Sequence, residues 1–191
     1  MNLDTKPLIE KSLAGDRNAF KALIEANQRL VMHVVYKMVS NHSDVEDICQ
    51  DVFVKVYQNL SNFQFNSKLS TWIAKIAFNT TINFLEKKKV PLFDDFSPED
   101  VTLDHLSGNG TLPDEFSEQG ELSGILQDQI DHLPVQFRTI LTLYHLDEMS
   151  YKEIGGIMDL PEGTVKSYLF RARKLLKDSL LSTYEEKELV Q

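Results

Sequence analysis

Between Val90 and Phe137 the chain carries 11 acidic residues and not one Lys or Arg. Pro91, Pro98, Pro113, Gly108 and Gly110 fall in the same stretch. Proline removes a backbone donor and glycine adds backbone freedom, so residues 91–120 are expected to be mostly irregular. A structureless loop of about thirty residues is uncommon inside one compact domain. The 191 residues are therefore expected to form two small units joined by a flexible acidic linker over 91–120. The net charge of −9 hides this division. Residues 1–89 hold 12 basic and 9 acidic side chains, and residues 138–191 hold 8 and 9. Two near-neutral ends can thus meet an anionic polymer although the average is acidic.

Both ends read as helical, which makes the expected fold all-α. Phe20, Leu23, Ile24, Asn27, Val31, Val34, Val35 and Met38 keep a helical repeat from about 16 to 39. Ser43 and Glu46 have capping-box spacing, and Val45, Ile48, Cys49, Val52, Phe53, Val56 and Leu60 give the next helix its apolar face. A loop over 61–69 leads to a further helix at about 70–88. Beyond the linker, helices resume near Glu121, and Pro134 is placed to open another.

Residues 150–177 read as two helices joined by a tight turn. Ser150 and Glu153 form a capping box, and Ile154, Ile157 and Met158 supply an apolar face that stops at Asp159-Leu160-Pro161. From Thr164 to Lys177 come Lys166, Arg171, Arg173, Lys174 and Lys177 without an acid, while Val165, Leu169, Ala172 and Leu176 lie opposite. One face packs and the other is positive, the layout of a helix-turn-helix that reads duplex DNA. Arg171 suits a guanine edge, whereas Lys166, Lys174 and Lys177 suit phosphates.

The helix before the linker carries a second polar face. Trp72, Lys75, Asn79, Asn83 and Lys87 recur at three or four residues, with Ile73, Ile76, Ala77 and Phe84 on the packing side. Trp stacks on a base, Asn reads a base edge and Lys meets phosphate, a set suited to single-stranded nucleic acid. The preceding loop, Phe63-Gln64-Phe65-Asn66-Ser67-Lys68, adds aromatic and amide groups. On the helix after Ser43, the outer residues Asp44, Glu46, Asp47, Gln50, Asp51, Lys55 and Gln58 suit docking to a basic protein surface.

Enzymatic classes find little support. His33, His42, His105, His132 and His145 are scattered without metal or nucleophile spacing, so no catalytic residue, metal or cofactor is expected. The single cysteine, Cys49, falls on an apolar face and reads as a core thiol. No run approaches the ~20 apolar residues of a membrane span, and the N-terminus lacks the apolar core of a signal peptide. The protein is expected to be cytoplasmic, with no membrane insertion.

Taken in order, the pieces resemble sigma factors of the extracytoplasmic-function (ECF) group in the sigma-70 family. DVEDICQDVFVKVYQNL (44–60) resembles the helix that docks on the polymerase clamp. FQFNSKLSTWIAKIAFNTTINFL (63–85) resembles the segment that melts and reads the −10 promoter element. LPVQFRTILTLYHLDEMSYKEIGGIMDLPEGTVKSYLFRARKLL (133–176) resembles the domain that reads the −35 element. The resemblance implies a sigma region 2 within 1–90 and a sigma region 4 within 121–184, followed by a tail over 185–191.

It places −10 contacts on the loop from Gln64 through Phe65, Asn66, Ser67 and Lys68 to Ser70, and on Asn79 and Asn83, beside the derived Trp72, Lys75 and Lys87. It places −35 contacts near Thr164, Lys166, Ser167, Phe170 and Arg171, with Lys174 alongside. Core RNA polymerase contacts fall on Asp47, Gln50 and neighbours, including Asp44 and Asp51. The implied partners are core RNA polymerase, promoter DNA and an inhibitory anti-sigma factor. Phe65, Lys68 and Leu69 stand where the group varies, and the linker is unusually acidic. That acidity suits either a basic polymerase channel or coverage of the protein's own basic faces.

The competing reading is a stand-alone helix-turn-helix regulator whose N-terminal helices sense a ligand or dimerise. Such proteins read paired half-sites as dimers, yet no heptad seam announces one here. A linker of this length permits many placements of one unit against the other.

Overall fold

The computed structural model describes residues 5–39, 41–89 and 118–189. Among these residues there are eight α-helices, one 3-10 turn and no strand. The greater part of the expected linker lies outside the described residues.

Helix α1 (Thr5–Leu13) turns at Gly15, whose φ of 89° lies in the region glycine tolerates. Asp16 then caps α2 (Arg17–Tyr36) by accepting hydrogen bonds from the backbone N–H groups of Asn18 and Ala19 at 2.9 and 3.2 Å. The apolar repeat of α2 buries Leu23, Val31, Val34 and Val35. Asn27 shares this face because its amide donates to the Leu23 carbonyl at 2.8 Å, which satisfies it locally.

Helix α3 (His42–Asn59) starts one residue before Ser43, with Asn41 accepting from the Asp44 N–H. The expected Ser43–Glu46 capping box is therefore replaced by an Asn cap, since Ser43 already lies inside the first turn. A 3-10 turn at Leu60–Asn62 leads through an extended Phe63 towards α4 (Leu69–Lys87). Helices α2, α3 and α4 pack mutually, with α1 against α2.

Beyond the linker, α5 (Glu118–His132) and α6 (Val135–His145) precede α7 (Tyr151–Met158) and α8 (Glu162–Leu189). The Ser150–Glu153 capping box forms as expected. Asp159 takes the left-handed conformation at φ 55° and closes α7, with Leu160 N–H donating to the Gly155 carbonyl at 3.0 Å. A Cβ on Gly155 would lie 2.6 Å from the Leu160 carbonyl oxygen, so the turn is tight enough to demand glycine. Val165, Leu169 and Ala172 of α8 are fully buried against this unit, and Leu176 is half-buried. Helix α8 begins at Glu162, before the expected Thr164, and runs past residue 184 to Leu189.

The two groups of helices touch. Helix α4 packs on α7 and α2 on α6, so the apolar cores run together.

Candidate nucleic-acid interface

An open groove of about 320 Å³ runs between the ends of α3 and the face of α4. Lys55, Asn59 and Asn62 form one wall, and Trp72, Ile76, Asn79, Thr80 and Asn83 form the other. Four amides thus converge where a base edge needs paired donors and acceptors. Lys55 Nζ donates to Thr80 Oγ1 at 3.1 Å and faces this groove, not the outer face of α3 expected for it. Ile76 also lines the groove, because its position falls between the two faces of α4. Asn59 and Asn62 are not marked by helical spacing, since a pattern along one helix cannot reveal a neighbour on another. Their only signal in the sequence is the amide-rich run Asn59-Leu60-Ser61-Asn62.

The ring of Trp72 is half-buried, with its centroid 5.3 Å from that of Phe63. Phe63 in turn lies 4.9 Å from Phe65. This aromatic row ends in solvent, where Phe65 is 50% exposed. Phe65 also has a φ of 58°, a conformation that costs a bulky side chain of order 1–3 kcal/mol. Gln64, Asn66 and Ser67 are exposed around it, with the Asn66 amide donating to Gln64 Oε1 at 3.2 Å. Asn79, Asn83 and Lys87 are exposed along α4. Lys68 and Lys75 belong to the same side but turn towards α7, where they meet Glu153 at 2.9 Å and Asp159 at 2.6 Å.

On α8, Lys166, Ser167, Phe170 and Lys174 are exposed, while Thr164 and Arg171 are half-buried beside them. The 70% exposure of Phe170 leaves a large apolar ring on a basic surface. Within this row the Lys166 ammonium also lies 5.5 Å above the Tyr151 ring. Arg173, which the sequence pattern marks only as one of several basic residues, sits 5.2 Å above Tyr144, which stacks on Tyr151. Its guanidinium also reaches His145 Nε2 at 3.2 Å. Burial, with the neighbouring Arg173 charge, pushes the His145 pKa down.

Glu153 ties the turn to α4. Partial burial works to raise its pKa, but hydrogen bonds from Ser150 and the pairing with Lys68 outweigh this and hold it at about 2. An unfolded glutamate titrates near ~4.3. Its folded value is depressed, so its stabilisation is present above the unfolded value and is lost as pH falls towards about 2. E153Q should therefore flatten the acid dependence of unfolding in that window. An unchanged profile by circular dichroism would contradict this origin.

On α3, Asp47, Gln50 and Asp51 are exposed as one stripe. Val54 and Tyr57, 53% and 59% exposed, add apolar surface that the charge pattern does not reveal. Asp44 is drawn away from this stripe by an ion pair to Lys88 at 2.6 Å. Cys49 is half-buried, and burial pushes its thiol up to about 11, in keeping with an unreactive packing role.

Two matches to known families decide what this arrangement is. Residues 23–90 match the family model described as Sigma-70 region 2, and residues 123–176 match that of Sigma-70, region 4. The chain is 34% identical to the ECF RNA polymerase sigma factor SigW of Bacillus subtilis over 184 residues, covering 94% of this chain and 98% of that protein. The chain belongs to the ECF sigma factors.

The ECF RNA polymerase sigma-E factor of Escherichia coli is likewise 34% identical, over 93% of this chain and 95% of its own length. Among solved structures, CnrH in complex with the cytosolic domain of CnrY has a TM-score of 0.66 at 18% identity, covering 94% and 99% of the two chains. RpoE in complex with the anti-sigma factor NepR from Bartonella quintana has a TM-score of 0.63 at 20% identity, covering 84% and 96%. These two share the fold. As an ECF sigma factor, this protein directs RNA polymerase to promoters, and the stand-alone regulator is not favoured. No helix among the described residues is long and apolar enough to cross a membrane.

Proposed function

We propose that α1–α4, within residues 1–90, capture melted −10 bases, and that α5–α8, within residues 121–184, read the −35 duplex. The observation that carries the first assignment is the groove between α3 and α4, which gathers four amides and a Trp edge beside the exposed Phe65 loop. The second rests on the exposed row Lys166, Ser167, Phe170 and Lys174 beside Arg171. The stripe Asp47, Gln50 and Asp51, widened by Val54 and Tyr57, serves as the polymerase-docking surface. A protein partner with a basic rim and an apolar centre fits it. An anti-sigma partner is part of the reading, because CnrH and RpoE are each solved with another protein bound and NepR is an anti-sigma factor.

The protein works by binding, without bond chemistry of its own. Extruding a base costs a few kcal/mol, and stacking on one aromatic returns about 1–3 kcal/mol. One Trp and one Phe can hold one or two bases but cannot open a promoter bubble unaided. The isolated chain should therefore leave promoter DNA closed, and permanganate reactivity without polymerase would contradict this.

The two kinds of −35 contact separate by mutation. R171A should relax preference at one base pair, by about 1–3 kcal/mol of discrimination, whereas K174A should weaken every promoter alike. Transcription from a panel of −35 variants is the test. Equal losses from both mutants on every variant would overturn the division.

A further inference from the structure

Two exposed residues of the C-terminal half, Arg173 on α8 and His145 at the end of α6, have no part in the −35 contacts assigned above. From Lys166 to Arg173 the helix makes close to two turns, so Arg173 continues the exposed line of Lys166 and Phe170. It lies about 10 Å further along α8 at ~1.5 Å per residue. A major groove is about 12 Å wide. A helix whose N-terminal part meets base edges therefore brings such a side chain to the phosphates of the groove's rim.

Two neighbours hold Arg173 in place. Its guanidinium carbon lies 5.2 Å from the centre of the Tyr144 ring. Its Nη2 and Nε lie 3.2 and 3.4 Å from one atom, His145 Nε2. A guanidinium only donates, so this nitrogen carries no hydrogen and the imidazole is neutral, with its proton on Nδ1. Tyr144 in turn stacks on Tyr151, and Lys166 lies over Tyr151, so two cations rest on one aromatic pair. Among the described residues neither cation forms an ion pair with a carboxylate.

An imidazole that gives its lone pair to an arginine resists a second proton. Burial and the Arg173 charge both press the His145 pKa below its ordinary value. The other groups around it do not offset this. Tyr144 and Tyr151, on α6 and α7, are neutral phenols near pH 7. In the turn that follows, Asp147 pairs with His33 of α2 at 3.1 Å, and Glu148 is exposed. A phosphate reverses the balance, because it accepts from both side chains and its charge offsets the repulsion between guanidinium and imidazolium.

We propose that Arg173 and His145 form a clamp for one backbone phosphate of the −35 duplex, and that closing the clamp places a proton from solvent on His145 Nε2. The proposal rests on the assignment of α8 as the −35 reader. The phosphodiester replaces the hydrogen bonds between the two side chains: Arg173 donates to one of its oxygens and the new Nε2–H to another. The bound pKa then exceeds the free one, so affinity for the duplex rises as pH falls from the first towards the second.

The test uses reconstituted holoenzyme and a duplex that carries the −35 element and stops short of −10, taken from a promoter selected by the holoenzyme. Dissociation constants are read by fluorescence anisotropy at constant ionic strength. A pKa rise of about one unit changes affinity by up to ~10-fold. Between about pH 7.5 and 5.5, affinity should therefore rise at least about 4-fold more for wild type than for H145Q. H33Q should follow wild type. R173A should lower the slope of log affinity against log salt by about 1, and R173K should retain it, a readout that lost packing alone does not move. A pH dependence of H145Q equal to that of wild type overturns the proposal, as do an H33Q variant that loses the dependence and an unchanged salt slope in R173A. R171A/K174A tests the assignment of α8 by itself. No loss of affinity there overturns that assignment, while a loss there together with any of the three negative results overturns the clamp alone.

Discussion

W72A is expected to lower open-complex formation by the reconstituted holoenzyme roughly 5-fold to 150-fold, the range set by about 1–3 kcal/mol of base stacking. Trp72 borders the groove between α3 and α4 and rests against Phe63, so its ring both lines the site and supports the loop. Truncation removes the stacking plane and loosens the row that ends at Phe65. W72F retains a smaller plane and should fall between wild type and W72A. Polymerase binding should be unaffected, since Asp47, Gln50 and Asp51 lie on the exposed side of α3. Permanganate footprinting on a promoter selected by the holoenzyme from random sequence provides the measurement. Equal bubble formation by W72A and wild type would remove Trp72 from the −10 site.

G155A is expected to destabilise the helix-turn-helix, and G156A is expected not to. The Cβ added at Gly155 would sit 2.6 Å from a backbone carbonyl oxygen, that of Leu160, which cannot swing aside as a side chain does. The carbonyl of Gly155 itself accepts from the Leu160 N–H, so any shift opens the turn that sets α7 against α8. Overpacking of this kind costs about 1–3 kcal/mol, or several degrees of melting temperature for a chain this size. At Gly156 nothing lies within 4 Å, and replacing a helical glycine by alanine favours the helix by roughly 0.5–1 kcal/mol. Thermal unfolding should therefore move in opposite directions for the two variants. Promoters that depend on the −35 element should lose activity only with G155A. Like shifts for both would contradict the account of the turn.

Features written into local spacing are legible in the amino-acid order alone. The Ser150–Glu153 box, the apolar face of α7 and the buried Val165, Leu169 and Ala172 all follow from rules that act within one or two turns. The pairing of α3 with α4 is not legible there, because periodicity reports a face without naming its neighbour. Lys55 therefore belongs to the groove although its own helix suggests an outer surface, Asn59 joins it unmarked by spacing, and Asp44 leaves the docking stripe to meet Lys88. Asn41 caps α3 in place of Ser43 because two good capping residues lie two positions apart. The contact of α4 with α7 is hidden for a further reason. Lys68 and Lys75 read as DNA-binding cations, and their pairing with Glu153 and Asp159 depends on how the two halves meet, which no local pattern encodes.

The central claim is that this chain opens promoters only as part of polymerase, with the α4 face holding the melted strand. The most direct measurement is permanganate footprinting of a selected promoter with core polymerase alone, with the protein alone, and with both. Reactive thymines near the −10 element in the mixture only, reduced at least about fivefold by W72A, are the predicted result. Reactivity with the protein alone, or a bubble in the mixture that is indifferent to Trp72, Asn79 and Asn83 together, would contradict it.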